Sequence, residues 1–179
     1  FDEEVRRIGA WWLKSFQMVH KPWFKLLQPD VVVAGTVLRL RAEDLLAWQV
    51  RGVIFDVDDT LVPIRQAEVD PAVAAWLEQL RPHFQIWLVS NNLNRNRIRQ
   101  IGESLNLPYI HGAGKPSRRA LRRAVAQMNL PVEAVAIVGD RLWTDILAGN
   151  RLGLVTVLVN SLLSGEVERN PATLLDLRF

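Results

Sequence analysis

Three runs in this 179-residue chain place oxygen-bearing side chains where apolar stretches end. Gly52-Val53-Ile54-Phe55 leads into Asp56-Val57-Asp58-Asp59-Thr60, Phe84 to Val89 leads into Ser90-Asn91-Asn92, and Ala134 to Val138 leads into Gly139-Asp140, with Asp145 shortly after. Carboxylates crowded at one edge repel one another, and a hard cation is the usual way such a cluster is held. Oxygen-only donors with no nearby His or Cys favour magnesium. The chain has no cysteine, which excludes disulfide scaffolds, thiolate zinc sites, iron–sulfur clusters and thiol nucleophiles, and fits a reducing compartment. His20, His83 and His111 stand apart and lack ligand spacing; only His111 is close enough in sequence to Lys115 to be a weak candidate for substrate contact.

Elements of two kinds must position these groups. From Arg51 onward, short apolar runs alternate with helical stretches, the pattern of parallel βαβ units. Strands are expected at Gly52 to Phe55, Phe84 to Val89, Tyr109-Ile110, Val135 to Val138 and Leu154 to Val159. Helices are expected after an Asp70 cap with Pro71 at the first position, from about Leu93 to Leu105, from about Ser117 to Met128 and around Thr144 to Asn150. An α/β fold follows, a three-layer, doubly wound parallel sheet of Rossmann type with its sites at the carboxyl ends of the strands. Trp76 and Trp87 read as packing residues, and Trp143 as a residue of the site's rim.

Composition is that of an ordinary globular protein: 49% hydrophobic, 23% charged, with 10 Gly and 9 Pro. The net charge is only +3, but it is unevenly spread. Val5 to Pro29 holds five basic residues and no acid, and Asn92 to Arg123 holds eight basic residues against the single acid Glu103. Residues 1–28 read as an amphipathic, aromatic and basic N-terminal helix, with Val5, Ile8, Trp12, Phe16 and Val19 on one face. An interfacial membrane anchor and a helix packed on the chain's own core fit this segment equally well. No run approaches the roughly 18 apolar residues of a membrane span.

Asp56-Val57-Asp58-Asp59-Thr60, Ser90, Lys115-Pro116 and Gly139-Asp140 with Asp145 resemble, in order and strand placement, the four motifs of the haloacid dehalogenase (HAD) superfamily of phosphatases. The longer runs Phe55 to Pro63, Val89 to Asn92, Gly114 to Pro116 and Gly139 to Gly153, with Leu27 to Asp30 ahead of the first strand, are similar to a narrower family. These are the subclass IIIA phosphatases that include the phosphatidylglycerophosphate phosphatases of bacteria, yeast mitochondria and plastids. The likeness runs from Leu26 to about Val159, and Asp59 stands where the narrower family often has Asn. Residues 29–179 are thus expected to form a HAD-like phosphatase domain.

The resemblance implies roles residue by residue. Asp56 would attack phosphorus and form an aspartyl-phosphate, and Asp58 would act as acid and then base. Asp56, Asp58, Asp140 and Asp145 would hold magnesium, Asp58 through its backbone carbonyl and Asp145 indirectly. Thr60, Ser90, Asn91 and Lys115 would meet the substrate's phosphoryl group. Taken alone, Asp59, Thr60, Asn91 and Asp145 also suit turn or capping roles.

Many members of the superfamily cover the site with an inserted cap, but only 29 residues separate Thr60 from Ser90 and 24 separate Ser90 from Lys115. Each interval is filled by its own strand and helix. A capless site suits a substrate that is itself large, and an arginine-rich face of Arg95, Arg97, Arg99, Arg118, Arg119, Arg122 and Arg123 suits an anionic phospholipid surface. The expected activity is dephosphorylation of phosphatidylglycerophosphate to phosphatidylglycerol by a peripheral protein on the cytoplasmic side of a membrane, or in an organelle of a eukaryote. The oligomeric state stays open. The alternatives are a phosphatase of a nucleic-acid end, phosphoprotein or soluble metabolite, or a basic RNA- or ribosome-binding module. Nucleic acid is not the expected partner, because a binder needs no nucleophile and the chain lacks an aromatic-studded RNA-binding motif.

Overall fold

A computed structural model describes residues 23–163. Six strands, β1 (Val31–Val32), β2 (Gly52–Phe55), β3 (Gln85–Val89), β4 (Tyr109–Ile110), β5 (Val135–Gly139) and β6 (Val155–Leu158), form one parallel sheet in the order β1-β6-β5-β2-β3-β4. Every residue of β2 and β5 is buried, as expected for central strands covered on both faces. Among the described residues five α-helices accompany them: α1 (Ala42–Leu46), α2 (Pro71–Leu80), α3 (Arg95–Ser104), α4 (Arg119–Met128) and α5 (Leu147–Leu152).

Alternation along the strands sends side chains to two separate cores. Val53, Phe55, Ile86 and Leu88 pack with Val73, Trp76 and Leu77 of α2 and Ile98 and Ile101 of α3. Ile54, Val89 and Ile137 pack with Leu121, Ala124 and Val125 of α4 and Ala148 of α5. The layers are therefore helix, sheet, helix, which is the expected doubly wound arrangement. Local signals agree with it. Asp70 Oδ1 accepts from Ala72 N at 2.7 Å to start α2, and Asn129 in the left-handed region ends α4. Trp76 is buried, its ring edge-on to Phe55 and its Nε1 donating to Leu40 O at 2.9 Å.

Three findings depart from or extend the expectations. The helix expected around Thr144 to Asn150 starts earlier, as one wide π-type turn over Leu142–Ile146 that runs into α5. Strand β1 has only two residues, and its signal was too short to register. Asp30 fixes it by accepting from both the backbone N and the hydroxyl of Thr156 in β6, at 2.8 and 2.9 Å. The expected helix over residues 1–28 lies outside the described residues up to residue 22, and Trp23–Leu27 is a short 3₁₀ turn. Asn150 Nδ2 ties the end of that turn to α5 by donating to the carbonyls of Leu26 and Gln28, both at 2.9 Å.

Candidate active site

The carboxyl ends of β2, β3 and β5 lie side by side in the sheet, and the loops leaving them carry the site. Asp56 continues the line of β2, its N–H donating to Val138 O at 2.9 Å. The chain then folds back at once. Leu61 N and Val62 N both donate to Val57 O at 3.0 Å, Asp59 takes a φ of 62°, and Asp58 forms a bridge with Val62. Asp59 is a loop residue here: its Oδ1 accepts from Ile64 N at 2.9 Å and its Oδ2 from Arg141 Nη2 at 3.3 Å.

Lys115 Nζ sits in the middle, buried, donating to Asp56 Oδ1 at 2.6 Å and to Val89 O at 2.8 Å. It also lies 2.6 Å from Asp145 Oδ1, a charge contact without hydrogen-bond alignment, so that oxygen has no hydrogen-bond partner although it is fully buried. Asp145 reaches this point because residue 139 is glycine. A Cβ there would stand 2.4 Å from Asp145 Oδ2.

Asp56, Asp140 and Asp145 bring carboxylate oxygens within 4.8 Å of one another. The electrostatics show the strain. Burial, together with the Asp145 and Asp140 charges and against the pull of Lys115, pushes Asp56 up to about 7. Burial and Asp145 push Asp140 up to about 6 although Arg141 works the other way. Burial alone would lower the Lys115 ammonium's affinity for its proton, but Asp56 and Asp145 outweigh that and hold its pKa above the ordinary value. One ammonium does not satisfy three carboxylates. A divalent cation fits this donor set: it would neutralise the repulsion that the single ammonium shared by Asp56 and Asp145 leaves uncompensated.

Asp58 is turned away from these three carboxylates. Its Oδ2 accepts from Ser90 Oγ at 2.8 Å, and its Oδ1 from Arg97 Nη1 at 2.6 Å and Asn92 Nδ2 at 3.3 Å. Any part it plays in ion binding therefore falls to its backbone, as the resemblance implies. Thr60 Oγ1 donates to Asp140 Oδ1 at 3.3 Å, orienting that carboxylate. Asn91 uses both amide atoms on the Lys115 backbone, accepting from its N–H at 2.7 Å and donating to its carbonyl at 2.9 Å. Asn91 thus fixes where Lys115 starts. Ser90 is fully buried and its Oγ accepts from Asn92 N at 2.9 Å.

Sequence reasoning gave no individual role to Asn92, Arg97 or Arg141. Arg97 looked like one of a row of surface arginines. The signal was present all the same, because Arg97 lies one helical turn before Ile101 and so shares the buried face of α3. Nor do the arginines form one face. Those of α3 and α4 belong to helices on opposite sides of the sheet; Arg97 turns into the site beside Asp58, while Arg95 and Arg119 are exposed at the helix starts.

Comparison with known proteins agrees with this geometry. A family model described as HAD-hydrolase-like matches residues 112–172, which include Lys115, Asp140 and Asp145. The chain is 36% identical over 143 residues to the probable phosphatase YqeG of Bacillus subtilis (strain 168), an alignment covering 79% of this chain and 82% of that protein. It is 31% identical over 126 residues to the chloroplastic phosphatidylglycerophosphate phosphatase 1 of Chlamydomonas reinhardtii, covering 65% of this chain and 47% of that protein, about half its length. An uncharacterized protein from Listeria monocytogenes serotype 4b shares the fold, with a TM-score of 0.51 at 16% identity over 72% of this chain and 99% of that one. With four ordered motifs converging on one sheet edge and a relative aligned over most of both chains, this chain belongs to the HAD superfamily of phosphatases, in the subclass IIIA-like group that includes YqeG.

Proposed function

We propose that this protein is a magnesium-dependent phosphomonoesterase that converts phosphatidylglycerophosphate to phosphatidylglycerol at a membrane surface. The observation that carries the substrate is the rim of the site. Ile64, Leu93 and Trp143 follow β2, β3 and β5 and are 44%, 84% and 62% exposed, unusual values for large apolar side chains clustered at one edge. Arg65, Arg95 and Arg141, also exposed, stand beside them. Apolar and indole side chains flanked by arginine suit the headgroup region of an anionic bilayer, where each nearby basic residue adds about 1 kcal/mol of attraction. The intervals from β2 to β3 and from β3 to β4 each hold a single α-helix and no inserted domain, so a lipid headgroup has a direct approach. The 31% identity to a chloroplastic phosphatidylglycerophosphate phosphatase supports the same substrate. No helix among the described residues is long and apolar enough to cross a membrane, and on this reading the contact is peripheral, on the cytoplasmic side or within an organelle.

The chemistry follows from the two carboxylates of the first loop. An Asp56 oxygen attacks phosphorus, the bond to the leaving alkoxide breaks, and Asp58 gives that oxygen a proton. Asp58 then takes a proton from the water that displaces Asp56 and releases inorganic phosphate. Lys115, already 2.6 Å from Asp56, offsets the charge of the entering phosphoryl oxygens. Magnesium, held by Asp56, Asp140 and Asp145, would supply further neutralisation of that charge.

Phosphate release from phosphatidylglycerophosphate in mixed micelles tests the proposal, with magnesium or chelator, for the natural chain and Asp56→Asn. Magnesium-dependent release that vanishes in the variant is expected. Hydrolysis of a soluble aryl phosphate without hydrolysis of the lipid would keep the chemistry and discard the substrate.

A further inference from the structure

Arg97 is the one arginine of α3 that turns inward, 9% exposed where Arg95 and Arg99 are exposed. All three kinds of guanidinium nitrogen are engaged. Nη1 donates to Asp58 Oδ1 at 2.6 Å, Nε to Gln66 O at 2.6 Å and Nη2 to Pro63 O at 3.1 Å. One side chain thus grips both the Asp58 carboxylate and the loop that follows it. A buried ion pair is a weak stabiliser, since desolvation offsets much of its attraction, so the contact is better explained by what it places.

The two oxygens of Asp58 are held differently. Oδ1 is anchored by a guanidinium and by the Asn92 amide, whereas Oδ2 meets only the Ser90 hydroxyl, which can rotate. We infer that Arg97 is a positioning residue that fixes Asp58 for proton exchange with the leaving group, and that Oδ2 is the atom through which the proton passes. This rests on the proposed phosphomonoesterase activity. In the first half-reaction the Asp56–phosphorus bond forms, the phosphorus–oxygen bond to the alcohol breaks and the Oδ2 proton goes to that oxygen. In the second, water's proton returns to Oδ2 as its oxygen bonds phosphorus and Asp56 is released.

Leaving groups read this role directly. An alkyl phosphate needs a proton at its departing oxygen, whereas a nitrophenyl phosphate departs as a stable anion. The measurement is kcat/KM, which covers steps only through leaving-group departure, for phosphatidylglycerophosphate in mixed micelles as the alkyl ester and for nitrophenyl phosphate as the aryl one, with magnesium. A well-placed acid contributes about 10²- to 10⁴-fold. Arg97→Met is expected to lose on the order of 10²-fold on the alkyl ester and tenfold or less on the aryl one. Asp58→Asn should show the same skew, larger, and adding Arg97→Met to it should lower alkyl kcat/KM less than threefold further. Arg97→Lys keeps the charge but cannot span three acceptors, and it should give an intermediate ratio; it supplies the same test should Arg97→Met not fold. Equal losses on both esters, or full additivity with Asp58→Asn, would overturn the inference while leaving the activity standing. A natural protein that cleaves neither ester would overturn the proposed activity, and this inference with it.

Discussion

Asp56 and Asp58 lie two residues apart on the same loop and are both buried, yet their surroundings are opposite. Asp56 faces two other carboxylates and one shared ammonium. Asp58 faces a guanidinium, an amide and a hydroxyl, with no other carboxylate among its partners. The first environment is incomplete without a cation and the second is complete as it stands. A single turn can therefore give two neighbouring carboxyl groups different partners by which side of the loop each side chain takes.

The comparison can be broken outright by removing the nucleophile. Asp56→Asn should lower phosphate release on the order of 10⁴-fold or more, read as initial rates with magnesium. It should also raise the melting temperature measured in chelator, because it deletes one member of the repelling cluster. An equal melting temperature would mean that the carboxylates are not in conflict. Next in size is Asn91→Ala, which frees the Lys115 backbone and leaves its N–H unsatisfied. A loss of about 1–3 kcal/mol in denaturant unfolding is expected, with a fall in kcat of about tenfold.

Gly139→Ala should act only on the Asp56 side. The added methyl pushes Asp145 away, so magnesium should raise the variant's melting temperature less than the natural chain's. The apparent stability loss should be about 1–3 kcal/mol. Acidity sharpens the contrast further. The folded pKa values of about 7 for Asp56 and about 6 for Asp140 lie above their ordinary value of 3.8, so the folded chain binds more protons than the unfolded one in between. Without metal, stability is highest below pH 4 as far as these two groups are concerned, and it is lost as pH rises through about 7. Thermal melts in chelator should fall across that window, and magnesium should restore more at pH 8 than at pH 5. A metal effect independent of pH would remove Asp56 and Asp140 from the ion site. The smallest change is expected at the rim: Leu93→Ser with Trp143→Ser should weaken binding to phosphatidylglycerol vesicles severalfold and leave aryl phosphate hydrolysis unaltered.

Much of this molecule could be read from its residues. The apolar runs of β2 and β5 are continuous because both faces are covered, β3 is apolar after its exposed Gln85, and all three runs end abruptly at the polar groups that follow. That abruptness located Asp56, Ser90 and Asp140. What escaped had no periodicity to betray it. Strand β1 is two valines fixed by the adjoining Asp30, whose partner Thr156 lies 126 positions away, a partnership no local window contains. Arg97 was hidden for a different reason. Its charge argued for solvent, and only the helix phase set by Ile98 and Ile101 argued for the interior. Thr60 and Asn91 stand out in the sequence only by their place after a strand, and their hydrogen-bond partners depend on how three loops meet.

The order of strands in the sheet also sets a schedule for the newly made chain. β2 lies between β3, about 30 residues later, and β5, about 80 residues later. The carboxylate that completes the cluster, Asp145, lies later still. Pairings this distant in sequence close late in folding. A chain emerging from a ribosome forms the parallel β2-α2-β3 crossover unit first, with Asp56 still beside neither Lys115 nor Asp140. The carboxylates that conflict in the finished site are thus kept apart until β5 and the turn after it have emerged, by which time Lys115, which offsets part of the conflict, has already been made.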